Sequence, residues 1–305
     1  MGQSLTFGIP EHLDGERVDK VVAVLGEMPR SEARAQCDAG RVGLDGEPAV
    51  AKARVSAGST VTFDAAAVAE VLTAEAVDFG VLYEDEHVVV IDKPSGLTVH
   101  PGAGRVRGTL AGGLLDRYPE LQGVGQEGRW GLVHRLDRET SGALLVGRTA
   151  AAHAALVDDL ARRDVGRQYV ALVQGVFDLP RGTVDAPIGR DPHRPRRRAL
   201  VPTGRHAITH YQMSRQWERP GVALLSVQLE TGRTHQIRVH LAGIGHSVLG
   251  DRLYGRQDPI AMRRLFLHAE SLRFRHPDSG KEMTVSSPLP PVLAEVLESL
   301  GEASE

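Results

Sequence analysis

The chain has 305 residues, 41% hydrophobic and 25% charged, which is typical of a globular protein long enough for two domains. Its single cysteine excludes an intrachain disulfide and a cysteine-built zinc site, and fits a reducing, cytoplasmic location. No apolar run approaches the roughly 18 residues that suggest a membrane span, so no membrane partner is expected.

Charge is unevenly distributed along the chain, although the net charge is only −3. Residues 1–80 carry 13 acidic and 7 basic side chains, whereas the remainder carries 26 acidic and 29 basic ones. Solubility alone explains either imbalance. A nucleic-acid partner must therefore be argued from individually placed residues.

The first 65 residues have the pattern of a small α+β module. Helices are predicted over residues 16–25 and 31–38, a hairpin over 41–46 and a strand over 59–63. The alanine- and glutamate-rich residues 66–80 that follow are interpreted as a linker.

This module resembles the S4 RNA-binding domain. The resemblance rests on Arg17-x-Asp19-Lys20, Arg30-Ser31, Gly40-Arg41-Val42 and Asp45-Gly46. In that family the second helix and the following loop present basic residues to RNA, which implies RNA contacts by Arg30, Arg34 and Arg41. The alternative is that these arginines are ordinary solvated side chains, and the acidic balance departs from a strongly basic S4 domain.

Residues 81–305 have the pattern of a larger α+β domain. Strands are predicted over 81–91 with a turn at 84–85, over 142–147, 169–173 and 222–229, and helices over 108–118, 150–163, 234–243 and 292–300. The absence of a regular βαβ alternation favours an α+β fold over a doubly wound one.

The stretch Gly131–Gly142 carries the most informative chemistry. It places charged residues, among them Asp137, between an apolar approach and a small-residue exit into a predicted strand. Such a carboxylate serves as nucleophile or general base when a cation keeps it ionised. A structural aspartate–arginine pair fits the same spacing, and the spacing does not decide between the two.

The segment His134-Arg135-Leu136-Asp137-x-x-Thr140-Ser141-Gly142 resembles the catalytic signature of the RluA-type pseudouridine synthases. Further blocks of that family match in order at Tyr83–Pro101, Gln168–Val173, Thr231–Leu241, Gly245–Gly255 and Leu267–Ala269. The resemblance covers about residues 81–285. It implies a mixed, largely antiparallel sheet and an isomerase that converts uridine in RNA to pseudouridine without a cofactor or metal.

The resemblance also implies roles for individual side chains. Asp137 would attack the target uridine, Tyr169 would stack on its base, and Arg233 would pair with Asp137. The aspartate either adds to the sugar or removes the C2′ proton, and the sequence does not choose between these routes. In both, the uridine must leave the RNA stack.

Three further arginines of these blocks are also of interest. Arg135 is expected to fill the vacated stack or grip a flanking phosphate, with a surface salt bridge as the alternative. Arg238 is a further candidate for RNA binding. Arg167 stands where the family often has lysine, and little consequence is expected because the positive charge is retained.

Residues 181–210 hold seven arginines against two aspartates, and prolines within them argue against a helix. A basic loop that contacts RNA phosphates is predicted, although a solvated charge run is the alternative. The candidate contacts are Arg194, Arg196, Arg197 and Arg198. A zinc site is not expected, because His235 and His240 are five residues apart and no His-Glu-x-x-His occurs.

An S4-like module joined to an RluA-type domain resembles the RluD group. That resemblance implies structured RNA as the partner, specifically large-subunit ribosomal RNA or a pre-ribosomal particle, and a monomer is expected. Transfer-RNA modification, hydrolysis of a glycosidic bond with Glu139 as a second acid, and a non-catalytic ribosome-assembly role remain alternatives.

Overall fold

The computed structural model describes residues 4–26, 28, 30–64, 73–101, 107–126, 129–194, 197–255 and 258–303. The chain divides into two compact units, Met1–Val71 and Leu72–Glu305. Within the described residues, no helix has both the length and the apolar character needed to cross a membrane.

The first unit is a four-stranded antiparallel sheet covered by two helices. Its elements are β1 (Ser4–Gly8), α1 (Val18–Leu25), α2 (Arg30–Asp38), β2 (Gly43–Leu44), β3 (Glu47–Pro48) and β4 (Thr60–Asp64), with the strand order β1-β4-β2-β3. Helix α1 buries Val18, Val21 and Val22, which pack in one core with Val61 and Phe63 of β4. The periodic valines therefore form the inner face of α1, as the sequence predicts.

The second unit contains the remaining elements. These are β5 (Gly80–Glu84), β6 (Val88–Lys93), α3 (Leu110–Arg117), β7 (Ser141–Gly147), α4 (Ala150–Arg162), β8 (Gly166–Gln174), β9 (Arg181–Asp185), β10 (Ile188–Arg190), β11 (Arg198–Leu200), β12 (Ile208–Trp217), β13 (Val222–Leu229), α5 (Gln236–Gly243), β14 (Leu267–Arg275), β15 (Glu282–Ser286) and α6 (Pro291–Ser299).

A mixed sheet forms the centre of the second unit. Among the described residues it has nine strands in the order β5-β6-β7-β14-β8-β13-β12-β9, with β15 beside β14. Only β7 and β14 pair in parallel, and the other described pairs are antiparallel. The sheet is thus mixed and largely antiparallel, as predicted.

Helices cover both faces of this sheet. On one face, α3 and α5 share a core with the inward residues of β6, β7, β8 and β13. On the other face, Leu156 of α4 and Leu293 of α6 lie in two separate cores. Threonine side chains cap α3 and α4, since Thr109 and Thr149 accept hydrogen bonds from backbone N–H groups three residues on.

Two segments differ from their predictions. Residues 66–72 of the predicted linker lie outside the described residues, but Glu75 accepts a hydrogen bond from the Gly108 backbone and Val77 lies beside Gly113 of α3. Residues 73–79 therefore pack on the second unit. The predicted basic loop over 181–210 contains β9 and a hairpin of β10 and β11, because backbone pairing forms these strands without an apolar run.

Candidate active site

Asp137 lies in a loop that a buried lysine anchors. Lys93, at the end of β6, is fully buried, and its Nζ donates to the carbonyl oxygens of Pro94, Leu97 and Arg138 at 2.8, 2.9 and 3.1 Å. These bonds join the turn after β6 to the residue that follows Asp137. The sequence assigns Lys93 no role, although it stands in a matched block.

Ser141 and Gly142, which follow Asp137, lie where strands β7 and β14 approach each other closely. Gly142 has φ +112°, and a Cβ there would clash with the carbonyl oxygen of Ala269, where β7 and β14 run side by side. The preceding Ser141 hydroxyl is 3.0 Å from Nδ1 of His268 and accepts from Arg264 at 2.8 Å. The Ser141-Gly142 pair therefore sets where the loop leaves the sheet.

Arg238 of α5 is the cation that meets Asp137. Its Nη1 donates to Oδ2 of Asp137 at 3.2 Å, while Nε and Nη2 donate to the two oxygens of Asp251 at 2.7 and 2.8 Å. The Asp251 side chain is fully buried and also accepts from the backbone N–H groups of Leu253 and Tyr254. Burial opposes the charge of Arg238, but hydrogen bonding to Asp251 raises its pKa above the ordinary value. Arg238 therefore stays protonated beside Asp137.

The structure corrects the predicted partner of Asp137. Arg233 lines the same pocket, but its Nε donates to the carbonyl oxygen of His206 at 2.9 Å. Arg233 lies in the turn before α5, whereas Arg238 lies in its first turn and is 8% exposed. Arg238 is held by two carboxylates, and its contact with RNA stays a prediction.

Gln236 fixes the start of α5. Its Oε1 accepts from the Arg233 backbone at 2.9 Å and from the Thr231 hydroxyl at 2.8 Å. Its Nε2 donates to the Ile208 carbonyl oxygen at 2.9 Å and to the Thr209 hydroxyl at 3.0 Å. The two bonds of Nε2 fasten the helix that carries Arg238 to β12, and the two bonds of Oε1 fix the turn that precedes the helix.

Asp137, Tyr169 and Arg233 line one pocket, together with several residues from β8, β13 and α5. The lining comprises Arg135, Leu136, Asp137, Thr140, Arg167, Tyr169, Leu229, Gly232, Arg233, Thr234, His235, Gln236, Ile237, Arg238 and Leu267. Tyr169 is 5% exposed at the centre of the sheet, and its burial raises the pKa of its phenol. The tyrosine therefore stays neutral and offers a ring face beside a carboxylate.

A tyrosine links the predicted basic segment to this pocket. The Tyr254 hydroxyl accepts from the backbone N–H of Arg198 and lies at hydrogen-bond distance, 2.8 Å, from Nδ1 of His235. Arg197 lies over the Tyr254 ring at 5.9 Å. Arg194 is exposed, and Arg196 lies outside the described residues.

The arginines predicted for the first unit all have acidic neighbours. Arg30 donates to the buried carboxylate of Asp19 at 3.0 Å. Arg34 pairs with Asp38 and Arg41 with Asp64, at 3.7 and 3.6 Å. These carboxylates would compete with an RNA phosphate for the three arginines. Each arginine nevertheless keeps half or more of its side chain exposed.

No group of three or more histidine, cysteine, aspartate or glutamate side chains that could hold a metal ion occurs within the described residues. Arg135 is exposed at the pocket rim. The arrangement therefore offers a carboxylate nucleophile or base, a cation that orients it, an aromatic face and an open basic rim.

Comparison with known proteins identifies the family. A family model described as RNA pseudouridylate synthase matches residues 87–243. Ribosomal large subunit pseudouridine synthase D of Xanthomonas campestris pv. campestris is 42% identical, over 97% of this chain and 92% of its own length. An uncharacterized RNA pseudouridine synthase of Bacillus subtilis is 38% identical, over 95% of this chain and 96% of its own length.

Solved structures agree with the fold. Human RNA pseudouridylate synthase domain containing 1 superposes with a TM-score of 0.57 at 26% identity, covering 73% of this chain and 94% of its own. Human RNA pseudouridylate synthase domain containing 4 gives the same TM-score and identity over 72% of this chain. These likenesses confirm the α+β prediction. The family match and the relatives show that the chain belongs to the RNA pseudouridylate synthase family, in its RluA branch, and is an isomerase.

Proposed function

We propose that this synthase isomerises specific uridines of large-subunit ribosomal RNA, with Asp137 as the residue that attacks the flipped-out nucleotide. The substrate class is supported by the names of relatives, such as the Xanthomonas campestris synthase, that span nearly the whole chain. The role of Asp137 is supported by one observation above all. Its carboxylate is held by Arg238 in a pocket that it shares with the buried Tyr169.

The pocket supplies what the isomerisation requires. The N1–C1′ bond must break, the uracil must turn, and C5 must bond to C1′. Asp137 either adds to C1′ or takes the C2′ proton, and Arg238 holds its carboxylate in place for both routes. The Tyr169 ring gives the detached base a surface on which to turn while remaining inside the pocket.

Hydrolysis of the glycosidic bond is the less supported chemistry. Glycosidases use two carboxylates that flank the scissile bond. Glu139 is directed toward Arg138, at 3.5 Å, and does not line the pocket, while both oxygens of Asp251 are bonded to Arg238. The described residues thus leave Asp137 as the one carboxylate lining this pocket.

RNA contacts are proposed around the pocket and on the first unit. Arg135 would fill the vacated stack or hold a phosphate at the rim, and Arg194, Arg197 and Arg198 would contact phosphates from the β10–β11 hairpin. We also propose that the first unit is an S4-like RNA-binding domain. Its contribution would be salt-sensitive, because phosphate binding releases counterions.

Mapping pseudouridines tests the substrate. Total RNA would be compared from cells that lack this protein and from the same cells complemented with wild type or with Asp137→Asn. We expect one or a few positions in large-subunit ribosomal RNA to lose pseudouridine in the deletion, to regain it with wild type, and to remain uridine with Asp137→Asn.

The exposed Asp164, which pairs with Arg162 at the surface, provides the matched control. Asp164→Asn should restore every position that wild type restores. Loss of pseudouridine from transfer RNA alone would contradict the ribosomal substrate. Restoration by Asp137→Asn would contradict the catalytic assignment.

A further inference from the structure

Arg167 is a buried cation, and no carboxylate of the described residues forms an ion pair with it. The residue is 5% exposed, and its Nη2 donates to the carbonyl oxygens of Leu229 and Glu230 at 3.3 and 3.0 Å. Its Nε is buried and has no hydrogen-bond partner within the described residues. The Glu230 carboxylate is engaged elsewhere, by Arg163 and His210. The guanidinium is therefore only partly satisfied by the protein.

The side chain lies on the pocket side of the sheet. Arg167 and Tyr169 are two residues apart on β8, so they point to the same face at a spacing of about 7 Å. Both line the pocket that contains Asp137. A Cβ at Gly232 would come within 2.8 Å of Nη1 of Arg167, so the glycine leaves room for the guanidinium at the pocket wall.

Burying an unpaired charge is unfavourable unless a ligand completes its partners. Burial lowers the pKa of Arg167, but arginine begins so far above neutrality that it remains charged. An anionic or strongly polar oxygen of the substrate would approach Nη1, which lies beside Gly232 at the pocket wall. Arg135 is exposed at the rim, where solvent would screen a phosphate, whereas Arg167 is buried and lines the pocket with Tyr169.

We propose that Arg167 donates to a carbonyl oxygen of the target uracil and stabilises the negative charge that the ring acquires during isomerisation. This inference rests on the proposed function and extends it to a further catalytic residue. Because Arg167 and Tyr169 share one strand face, a ring stacked on Tyr169 presents its edge to the neighbouring guanidinium. The bidentate fork of arginine suits such an edge.

The charge arises at a defined step. When N1–C1′ breaks, its electron pair stays on the uracil, which becomes an anion delocalised over N1 and the two carbonyl oxygens. C1′ is then bonded to Asp137, or belongs to a glycal whose C2′ proton Asp137 has taken. C5 uses a ring electron pair to bond C1′, which releases Asp137 or returns the C2′ proton. C5 then loses its proton and N1 gains one, so no further reactant is consumed.

The single-turnover rate and the affinity for RNA of Arg167 variants distinguish a catalytic role of Arg167 from a contact with an RNA phosphate. Arg167→Met should lower the single-turnover rate by about 10²–10³-fold, the usual effect of removing one donor to a developing oxyanion. Its affinity for RNA should stay within about twofold of wild type, and Arg167→Lys should recover part of the rate. Arg273→Gln, which removes an exposed arginine of β14, should match wild type.

Substituted RNA tests the contact itself. Sulfur would replace O2 or O4 of the target uracil, and each thio effect would be measured for wild type and Arg167→Met. We expect one position to slow wild type at least about tenfold more than the variant, as a direct contact requires. If Arg167→Met does not fold, Arg167→Lys takes its place in the same comparison.

The outcomes distinguish the two proposals. If wild type forms no pseudouridine, the proposed function fails. If wild type is active and Arg167→Met keeps its rate, or weakens RNA binding without slowing the bound reaction, this inference alone fails. Equal thio effects in wild type and variant at both oxygens would also overturn it.

Discussion

At the residue scale, the centre of the site is a chain of alternating charge formed by Asp137, Arg238 and Asp251. Asp251 holds two nitrogens of Arg238, so the guanidinium is already oriented when it meets Asp137. Burial makes this geometry restrictive, because a buried cation that loses a partner is strongly destabilising. This series of charges thus positions Asp137 through its Oδ2, and Oδ1 makes no described hydrogen bond.

Exchange of Arg238 or of Arg233 for lysine tests this assignment. Arg238→Lys should lower the single-turnover rate about 10–100-fold, because an ammonium cannot bond Asp251 through a fork and reach Asp137 as well. Arg233→Lys should have a smaller effect, since Arg233 bonds a backbone carbonyl oxygen. The rate would be measured at saturating enzyme, with RNA affinity determined separately.

The comparison has an internal control, because both variants retain the positive charge and both positions line the pocket. A larger rate loss for Arg233→Lys than for Arg238→Lys would show that the ion pair seen here does not serve the reaction.

The motifs predict the members of the site better than their contacts. They bring Asp137, Tyr169 and Arg233 to one pocket, as the sequence implies. The motifs do not predict which arginine of this block, Arg233 or Arg238, bonds Asp137. That choice depends on the tertiary structure, because Arg233 lies in the turn before α5 and Arg238 lies in the helix. The expectation that lysine and arginine are interchangeable at position 167 remains a prediction, and the burial of Arg167 argues against it.

At the element scale, the predictable segments are those with a strong apolar pattern. Strand β7 and helix α4 begin and end within a residue or so of the predicted bounds, as does β13. Each has either a continuous buried run or a helical apolar face, which is the principal sequence signal of secondary structure.

The sequence pattern does not predict strands β1, β9, β10, β11, β12, β14 and β15, and the hairpin of β10 and β11 shows the reason most clearly. The hairpin of β10 and β11 buries only Ile188 and is held by backbone pairing, so its sequence shows neither the helical nor the strand period of apolar residues. Tyr254 adds a tertiary contact by accepting from the Arg198 backbone. Such a contact joins residues 56 positions apart, which no local pattern reports.

At the scale of the whole molecule, the half-buried His134, whose Nδ1 is buried, couples stability to pH. His134 accepts from the Leu145 backbone through Nε2, so its proton is on Nδ1, which is buried without a described partner. Burial lowers the pKa of His134 to about 3, whereas an unfolded histidine titrates near 6.5. Below pH 6.5 His134 is protonated in the unfolded chain but stays neutral in the folded chain. The free energy of unfolding therefore falls as the pH falls toward 3.

His134→Gln isolates this contribution, because a glutamine oxygen can accept from Leu145 but does not titrate. Between pH 7 and pH 5 wild type should lose about 2 kcal/mol more unfolding free energy than the variant. Urea unfolding followed by tryptophan fluorescence suits the measurement, since Trp130 and Trp217 both lie in the second unit. An equal loss in both proteins would contradict a folded-state His134 that stays neutral at pH 5.

The account depends most on Asp137, and one measurement with purified protein tests it directly. Wild type and Asp137→Asn would be incubated with unmodified large-subunit ribosomal RNA, and carbodiimide-dependent stops of reverse transcription would be mapped, with RNA binding measured in parallel. We predict stops at discrete uridines for wild type and none for Asp137→Asn at comparable RNA affinity. Stops of equal strength with Asp137→Asn would contradict the assignment of Asp137 as the catalytic residue.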